Sequence, residues 1–369
     1  MAIKILTNSL FQSLGQKQRQ LLLLTLIGTL LGVQNLPVAA KPSGIKPVNS
    51  RPVVSAPLVT AKPPVLLGLY TSGFVGESST IKNQLSLVDQ WAGKHASLAG
   101  MFLDIEGDNP GYNVPVSLEQ LRENGYTAFI NLKSNRTAAE IARGDVDSSL
   151  RNVAKAYAEW LSKGNGRMAF IAPMQEMNIA GERYSLDPEN FKVAYQRIQS
   201  IFAEAGVPRN AVRWVFAPNG WSQQGNEFEK YYPGSDRVDV LGFSAYNWGY
   251  CSSASWKEWS TNAADAFEPY IKRMRSMAPQ KPIFITQTAS TSNTQSGANS
   301  SAKDKWFKDA YAYLAAAPNV QAILYFNLDK ECDWALHRNN GSNSEGYKNA
   351  IINPAFGYVS PDDLSRLSP

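Results

Sequence analysis

From residue 65 onward, eight short apolar runs alternate with longer amphipathic segments, and this alternation constrains the fold more than any other feature of the chain. Short runs that stay apolar throughout are typical of strands buried on both faces of a parallel sheet. We place these strands at residues 65–70, 99–105, 127–132, 168–174, 212–217, 238–243, 282–286 and 322–326. Apolar residues at helical spacing place helices at 81–92, 117–124, 148–163, 188–205, 256–277 (broken or kinked near Pro269) and 302–317.

Eight strand–helix units within about 300 residues predict an α/β fold of the (β/α)8 TIM-barrel type. An open, doubly wound sheet is the alternative. It is disfavoured because no glycine-rich phosphate-binding turn follows residues 65–70. In a (β/α)8 barrel the C-terminal ends of the strands open into one cleft, so polar residues that follow different strands can meet there.

The first 64 residues differ in character from the rest of the chain. Basic residues precede the apolar run 21–33, and small residues end the segment at 38–40, which is the layout of a secretory signal peptide. A retained membrane anchor is the alternative, although the apolar run is short for a span. We expect a signal peptide (1–40), a disordered Pro-rich linker (41–64), a single barrel domain (65–358) and a C-terminal tail (359–369), in a secreted, periplasmic or cell-envelope protein without stable membrane insertion after cleavage.

The net charge of +5 comes from the N-terminal segment. Residues 1–64 contain seven of the 36 basic residues and no acidic residue, so the remaining 29 basic residues face 31 acidic ones. Because the barrel has no basic excess, we expect no nucleic-acid partner.

Two cysteines, Cys251 and Cys332, follow predicted strands six and eight. Export would permit a disulfide between them across the cleft face, and an unpaired, buried pair is the alternative. The two histidines, His95 and His337, lie in no recognisable catalytic or metal-binding motif, and no ligand cluster implies a metal or organic cofactor.

Acidic residues at strand ends and aromatic residues in the following loops remain as candidates for chemistry. Glu176 follows the strand predicted at 168–174. A carboxylate pair in an aromatic-lined cleft is what glycoside hydrolysis requires, because one group protonates the leaving oxygen and the other supports the oxocarbenium-like centre. Seven aromatic residues could line such a cleft or, equally, pack in the core: Trp221, Tyr246, Trp248, Tyr250, Trp256, Trp259 and Trp334.

Four segments resemble glycoside hydrolase family 26, the β-mannanase family of the large retaining (β/α)8 clan. Residues 173–178 (PMQEMN) are similar to its His-Glu-Met-Asn stretch, and residues 238–249 (VDVLGFSAYNWG) to its sixth-strand motif. Residues 281–286 resemble the approach to its nucleophile, and residues 324–334 its eighth strand and loop.

The resemblance implies Glu176 as the general acid/base and Tyr246 as a hydrogen-bond partner near the nucleophile. It also implies Trp248 and Trp334 as sugar platforms. Asn178, Asn219 and Trp221 complete the candidate substrate-binding residues.

Three positions depart from the family pattern. Gln287 stands where the family has its glutamate nucleophile, Gln175 replaces the histidine before the acid/base, and Ala172 replaces an arginine. A neutral amide cannot form a glycosyl ester. An inverting route would need a second carboxylate at about 6.5–9.5 Å from Glu176, and the candidates are Asp104, Glu106, Asp329, Glu331 and Asp333.

These features predict a glycoside-hydrolase-like protein that acts on a β-mannan or β-glucan type of polysaccharide or oligosaccharide, as a monomer. The alternative is a non-catalytic carbohydrate-binding protein of the cell envelope.

Overall fold

Eight parallel strands close into a barrel in the computed structural model, which describes residues 62–72, 75–251, 263–337 and 343–366. Consecutive strands pair with each other, and the last pairs with the first, with Leu66 opposite Ala322. The predicted (β/α)8 fold is therefore confirmed. The strands are β1 (Val65–Tyr70), β2 (Leu98–Asp104), β3 (Thr127–Lys133), β4 (Ala169–Pro173), β5 (Val212–Phe216), β6 (Val240–Ser244), β7 (Ile283–Thr288) and β8 (Val320–Tyr325).

Helices cover the outside of this barrel, and their buried faces pack on the strands. An initial helix has three parts, Ser78–Thr80, a π-helical segment Ile81–Ser86, and Leu87–Ala92. The other α-helices are Pro110–Glu123, Ala138–Arg143, Asp147–Ser162, Pro188–Glu204, Ala263–Met277, Ser300–Ala316, Glu345–Ile351 and Pro361–Arg366. Two 3-10 turns (Arg209–Ala211 and Phe228–Tyr231), a short hairpin (Asn293–Thr294 with Gly297–Ala298) and a two-residue strand (Phe356–Gly357) complete the described elements.

The helices Ala138–Arg143, Glu345–Ile351 and Pro361–Arg366 were not predicted, and two of the predicted helices differ clearly from expectation. The helix expected at 117–124 begins at Pro110, because burial of Val114 and Leu118 outweighs the poor helical propensity of its first residues. The helix Ala263–Met277 continues through Pro269, with Phe267 and Ile271 buried on either side, so it is not broken there. The expected start of that helix, with Trp256 and Trp259, lies outside the described residues, as do the predicted signal peptide and most of the predicted linker.

The barrel interior is a packed core. The rings of Phe129 and Phe170 lie 6.4 Å apart, and Phe170 lies 5.0 Å from Phe284. Because β4 and β7 are not neighbours, the contact between Phe170 and Phe284 must cross the barrel interior. These rings fill the N-terminal part of the barrel and leave the C-terminal end to form the cleft.

Both ends of the described chain attach to the barrel. Lys62 donates hydrogen bonds of 2.8 Å to the carbonyl oxygens of Ala315 and Ala317. Phe356–Gly357 pairs with the start of β1, and Leu364 in the last helix is buried. Within the described ranges, no helix is both long and apolar enough to cross a membrane.

Candidate active site

The chain turns sharply after β4 and projects Glu176 into the cleft. Met174 and Glu176 both have positive φ angles, of 52° and 57°. Such a conformation costs a non-glycine residue about 1–3 kcal/mol and is concentrated at functional sites. Neighbouring strands hold the turn, because the Met174 N–H donates to the carbonyl of Leu132 (2.8 Å) and the Glu176 N–H to that of Ala217 (2.9 Å).

Two donors from neighbouring strand ends fix the Glu176 carboxylate. Its Oε1 accepts a hydrogen bond of 2.9 Å from the Asn219 amide, which follows β5, and another from the Ser244 hydroxyl at the end of β6. Within the described residues, Glu176 pairs with no cation, and its Oε2 accepts no hydrogen bond from the protein. One carboxylate oxygen is thus anchored, and the other is available to a ligand in the cleft.

Gln287 lies near the end of β7 with 6% of its surface exposed. It pairs in register with Ser244, which itself contacts Glu176. The Gln287 Oε1 accepts a hydrogen bond of 2.9 Å from the Tyr246 hydroxyl. Burial raises the pKa of Tyr246 well above its usual value, and the negative charge of Glu176 acts in the same direction, so this phenol remains a donor. Glu176 and Gln287 therefore border the same cleft.

Tyr70 and Asn131 form the floor of this cleft, and the sequence reasoning missed both. The Asn131 amide donates to the Tyr70 hydroxyl (2.7 Å), which donates to the carbonyl of Thr286 (3.0 Å). A Cβ at residue 100 would lie 2.6 Å from the Tyr70 ring, so only glycine admits the ring there. An asparagine inside an otherwise apolar strand was the available sequence signal, because a buried amide needs a partner.

The aromatic residues at the cleft divide into exposed and buried groups. Trp221 is 47% exposed, and Trp248 is half-buried beside Tyr246, with 5.7 Å between ring centroids. Trp334 is 0% exposed, and its ring supports Trp248 at 5.2 Å. The expectation that Trp334 is itself a sugar platform is corrected, because Trp248 and Tyr246 cover it. Phe102, at the end of β2, is 40% exposed and was missed by the sequence reasoning.

Asn178 holds a loop instead of facing the cleft. It is fully buried, and its amide donates to the carbonyls of Asn219 (2.9 Å) and Trp221 (3.0 Å) and to the Ser222 hydroxyl (3.1 Å). Its Oδ1 accepts from the Asn219 N–H at 2.8 Å. With its polar atoms engaged, Asn178 positions Asn219 and Trp221, which corrects the expectation of direct sugar contact.

The other two departures from the family pattern are also buried. Gln175 is nearly inaccessible, and its Oε1 has no hydrogen-bond partner among the described residues. Ala172 is fully buried in β4.

The five candidates for a second catalytic carboxylate differ in the hydrogen bonds that they accept from the protein. Glu106 accepts from the Ser134 hydroxyl (2.6 Å) and Asp329 from the Ala335 N–H (2.9 Å). Asp333 accepts from the Ser292 N–H (3.0 Å) and the Thr291 hydroxyl. These three therefore hold loops. Asp104 and Glu331 are exposed, and within the described part of the chain their carboxylates accept no hydrogen bond.

A disulfide joins Cys251 to Cys332, which confirms the predicted pairing and excludes two free thiols. The Cα atoms are 5.7 Å apart. The bond connects the loop after β6, which contains Trp248, to the loop after β8, which contains Trp334. It therefore clamps the two loops that present the packed aromatic group.

Each of the two histidines contacts a residue of the first helix. His95 bonds to Asp89 at 2.5 Å, and Asp89 also accepts from the Tyr126 hydroxyl at 2.6 Å. His337 packs against Trp91, with 5.4 Å between ring centroids. Among the described residues, no group of three or more His, Cys, Asp or Glu side chains could hold a metal ion.

Comparison with known proteins supports the fold and gives a distant sequence relative. No family model matches the chain. Endoglucanase H of Acetivibrio thermocellus is 27% identical over 207 residues, which cover 54% of this chain and 21% of that protein. The chain thus matches only about a fifth of the relative's length.

Solved structures with the same fold include several mannanases. The catalytic domain of a family 26 endo-β-1,4-mannanase from a Bacillus species superimposes with a TM-score of 0.60 at 14% identity, covering 82% of this chain and 90% of that chain. A family 26 β-mannanase from Bacteroides ovatus gives 0.58 at 16% identity, covering 83% and 94%. These comparisons bear out the resemblance to family 26 at the level of the fold.

Proposed function

We propose that this chain is a secreted, glycoside-hydrolase-like member of family 26 that binds a β-linked polysaccharide of the mannan or glucan type in the cleft. Glu176 acts there as the general acid. The observation that supports this most is the carboxylate of Glu176, anchored through Oε1 by Asn219 and Ser244 with Oε2 left to the cleft. The disulfide is compatible with an oxidising compartment.

Gln287 and Tyr246, which lie across the cleft from Glu176, restrict the mechanisms that are possible because neither is a suitable nucleophile. Gln287 occupies the position that the family resemblance assigns to the nucleophile, and an amide forms no covalent glycosyl ester. Tyr246 is no substitute, because burial and the charge of Glu176 raise its pKa and keep its hydroxyl protonated. We therefore propose no retaining double displacement through Gln287 or Tyr246.

Turnover by the native chain would follow an inverting route. Glu176 would protonate the leaving oxygen while a second carboxylate activates a water molecule on the opposite face of the sugar. Asp104 and Glu331 are the candidates for this base, because both are exposed and no hydrogen bond holds their carboxylates within the described residues, although Glu331 lies 3.9 Å from the Lys330 ammonium.

Carbohydrate binding without turnover is the second candidate. The observation that favours it is the Tyr246–Gln287 hydrogen bond, which completes a neutral, satisfied site in place of an ionised nucleophile. Binding needs only the cleft and Trp248, so it survives the loss of the second carboxylate.

The test measures binding by calorimetry and product release by reducing-sugar assay on β-mannan, mixed-linkage β-glucan and xylan. Native protein, Glu176→Gln and Trp248→Ala are compared, with Glu189→Gln as a control, because Glu189 is exposed on an outer helix. If the chain is an enzyme, Glu176→Gln lowers turnover by about 100-fold or more while binding persists. Binding that Trp248→Ala weakens, without product, supports the second candidate. Absence of both binding and product overturns the proposal.

A further inference from the structure

The cleft pairs one available carboxylate with one neutral amide. Glu176 is anchored through Oε1 and leaves Oε2 to a ligand, whereas the buried Gln287 carries no charge. On a mannan or an unsubstituted glucan this pair offers no nucleophile, so turnover there needs the inverting route. A substrate that brings its own nucleophile removes that need, and participation by the substrate is an established alternative in glycoside hydrolysis.

Two tyrosines fix the orientation of the Gln287 amide. The Tyr246 hydroxyl donates to its Oε1 at 2.9 Å. Burial raises the pKa of Tyr70, and the side chains of Asn131 and Gln287 oppose that rise as hydrogen-bond partners of its hydroxyl. Because the Tyr70 hydroxyl donates its own proton to the carbonyl of Thr286, Gln287 meets it through the amide nitrogen.

The amide oxygen of Gln287 keeps one position for a ligand. An amide oxygen has two lone pairs, and within the described residues Oε1 accepts only the hydrogen bond from Tyr246. The second lone pair is therefore available to an N–H group. A hydroxyl group is not required there, and a cation would find no negative charge on Gln287.

Aromatic rings lie beside this acceptor. Phe326, which follows β8, has its ring 5.9 Å from that of Tyr70 and 6.2 Å from that of Tyr246. Both tyrosines contact the Gln287 amide. A ligand group that combines an N–H with a methyl suits such a wall, because burial of a methyl group is stabilising.

A 2-acetamido group on the sugar has this composition. It offers one N–H, one methyl and a carbonyl oxygen that can reach C1 of the same sugar, where an intramolecular attack has a large advantage over an external nucleophile. The attack needs the 2-substituent trans to the leaving oxygen. A β-linked sugar of the gluco configuration meets this condition, and one of the manno configuration does not.

We propose that the cleft hydrolyses a β-linked polymer of 2-acetamido-2-deoxyglucose, the amino-sugar counterpart of a β-glucan, with the acetamido carbonyl oxygen of the sugar beside Glu176 as the nucleophile. Gln287 accepts the acetamido N–H and so holds the carbonyl oxygen against C1. The assignment rests on the proposed function and specifies its substrate.

The reaction consumes one glycosidic bond and one water molecule in two steps. First, the carbonyl oxygen bonds to C1 while the bond from C1 to the leaving oxygen breaks, and Glu176 gives its proton to that oxygen. The resulting oxazolinium ring keeps its N–H on Gln287, and the Glu176 carboxylate balances its positive charge. Then Glu176 takes a proton from water as the water oxygen attacks C1, and the ring opens to restore the acetamide. The product retains the β configuration.

The experiment follows product release by NMR from three matched β-linked hexasaccharides, of 2-acetamido-2-deoxyglucose, of 2-amino-2-deoxyglucose and of glucose. The native protein should release the β-anomer from the first and react at least about 100-fold more slowly with the other two, which lack the carbonyl oxygen. The thiazoline analogue of the cyclic intermediate should bind about 100-fold more tightly than the parent monosaccharide.

Gln287→Leu tests the role of the amide, because leucine has a similar volume and no acceptor. We expect about a 100-fold loss of rate on the acetylated hexasaccharide and weaker binding of the thiazoline. Glu189→Gln, on an outer helix, is the control and should match the native protein. Thermal unfolding of each variant checks the fold, and the native measurements stand without either variant.

Several results overturn the inference and leave the proposed function standing. These are equal rates on the acetylated and glucose hexasaccharides, an α-anomer from the acetylated one, or binding of β-mannan without binding of the acetylated one. Binding without product from any hexasaccharide also overturns it and favours the carbohydrate-binding candidate. An unchanged rate in Gln287→Leu overturns the role given to Gln287. A native protein that binds no glycan overturns the proposed function as well.

Discussion

Tyr246 donates a hydrogen bond of 2.9 Å to Oε1 of Gln287, at the position where the resemblance to family 26 expects a carboxylate. Glutamine and glutamate have nearly the same shape, and the phenol can donate equally well to an amide oxygen or a carboxylate oxygen. Replacing Gln287 by glutamate should therefore keep the shape of the side chain and its hydrogen bond to Tyr246 while adding one negative charge.

Removing the Tyr246 hydroxyl should destabilise the protein. In Tyr246→Phe the buried Gln287 Oε1 loses its donor, which we expect to lower the free energy of unfolding by about 1–3 kcal/mol. Urea denaturation measures the change. Tyr232→Phe is the matched control, since its hydroxyl hydrogen-bonds to Ser235 near the surface at 3.1 Å, and we expect a smaller effect. Equal effects in both variants would refute the structural role of the Tyr246–Gln287 bond.

Asn178 should matter for binding without touching the ligand. Asn178→Ala removes the side chain that holds Asn219 and Trp221, so the Asn219 N–H and the carbonyls of Asn219 and Trp221 lose their hydrogen bonds to it. We expect a loss of about 3 kcal/mol in stability and weaker glycan binding.

Asn113→Ala is the control for this variant, because the Asn113 amide makes one hydrogen bond, to the carbonyl of Asp108, at the surface. Urea denaturation and calorimetry on both variants provide the comparison. An Asn178→Ala protein as stable as the native protein would show that the loop with Asn219 and Trp221 does not depend on the Asn178 side chain.

The Cys251–Cys332 disulfide should stabilise both the fold and the cleft. It closes a separation of 81 residues, for which the chain-entropy model gives roughly 4 kcal/mol. We expect the double variant Cys251→Ser/Cys332→Ser to unfold at lower temperature and to bind glycan more weakly, because the loops that contain Trp248 and Trp334 lose their connection.

Calorimetry with and without a reducing agent checks this, since reduction of the native protein should reproduce the variant. Identical unfolding temperatures in the two redox states would contradict the expected stabilisation.

The fold was accessible from the sequence because the barrel strands are short, mostly apolar runs that alternate with amphipathic segments, a pattern typical of a parallel sheet covered on both faces. The helix that begins at Pro110 was not predicted in full, because its stability comes from burial of Val114 and Leu118 against the barrel and not from local propensity. Local patterns do not report such tertiary contacts.

The candidate site was predicted less completely than the fold. The position of Glu176 after a strand was readable, but the two positive φ angles that turn Met174 and Glu176 were not. Sequence also gave no means of deciding that Trp334 is enclosed by its neighbours while Phe102 is exposed. Side-chain direction in loops depends on contacts between segments that are distant along the chain.

The assignment of Gln287 to the nucleophile position is tested most directly by the anomeric form of the first product that Gln287→Glu releases, followed by NMR on a β-mannan or β-glucan oligosaccharide. We predict that this variant releases the β-anomer, with retention, at a rate that exceeds the native rate by orders of magnitude. Native protein should release only the inverted anomer or no product. A folded, glycan-binding Gln287→Glu protein that releases no retained product, or a native protein that already retains configuration, would contradict the assignment of Gln287 to the nucleophile position.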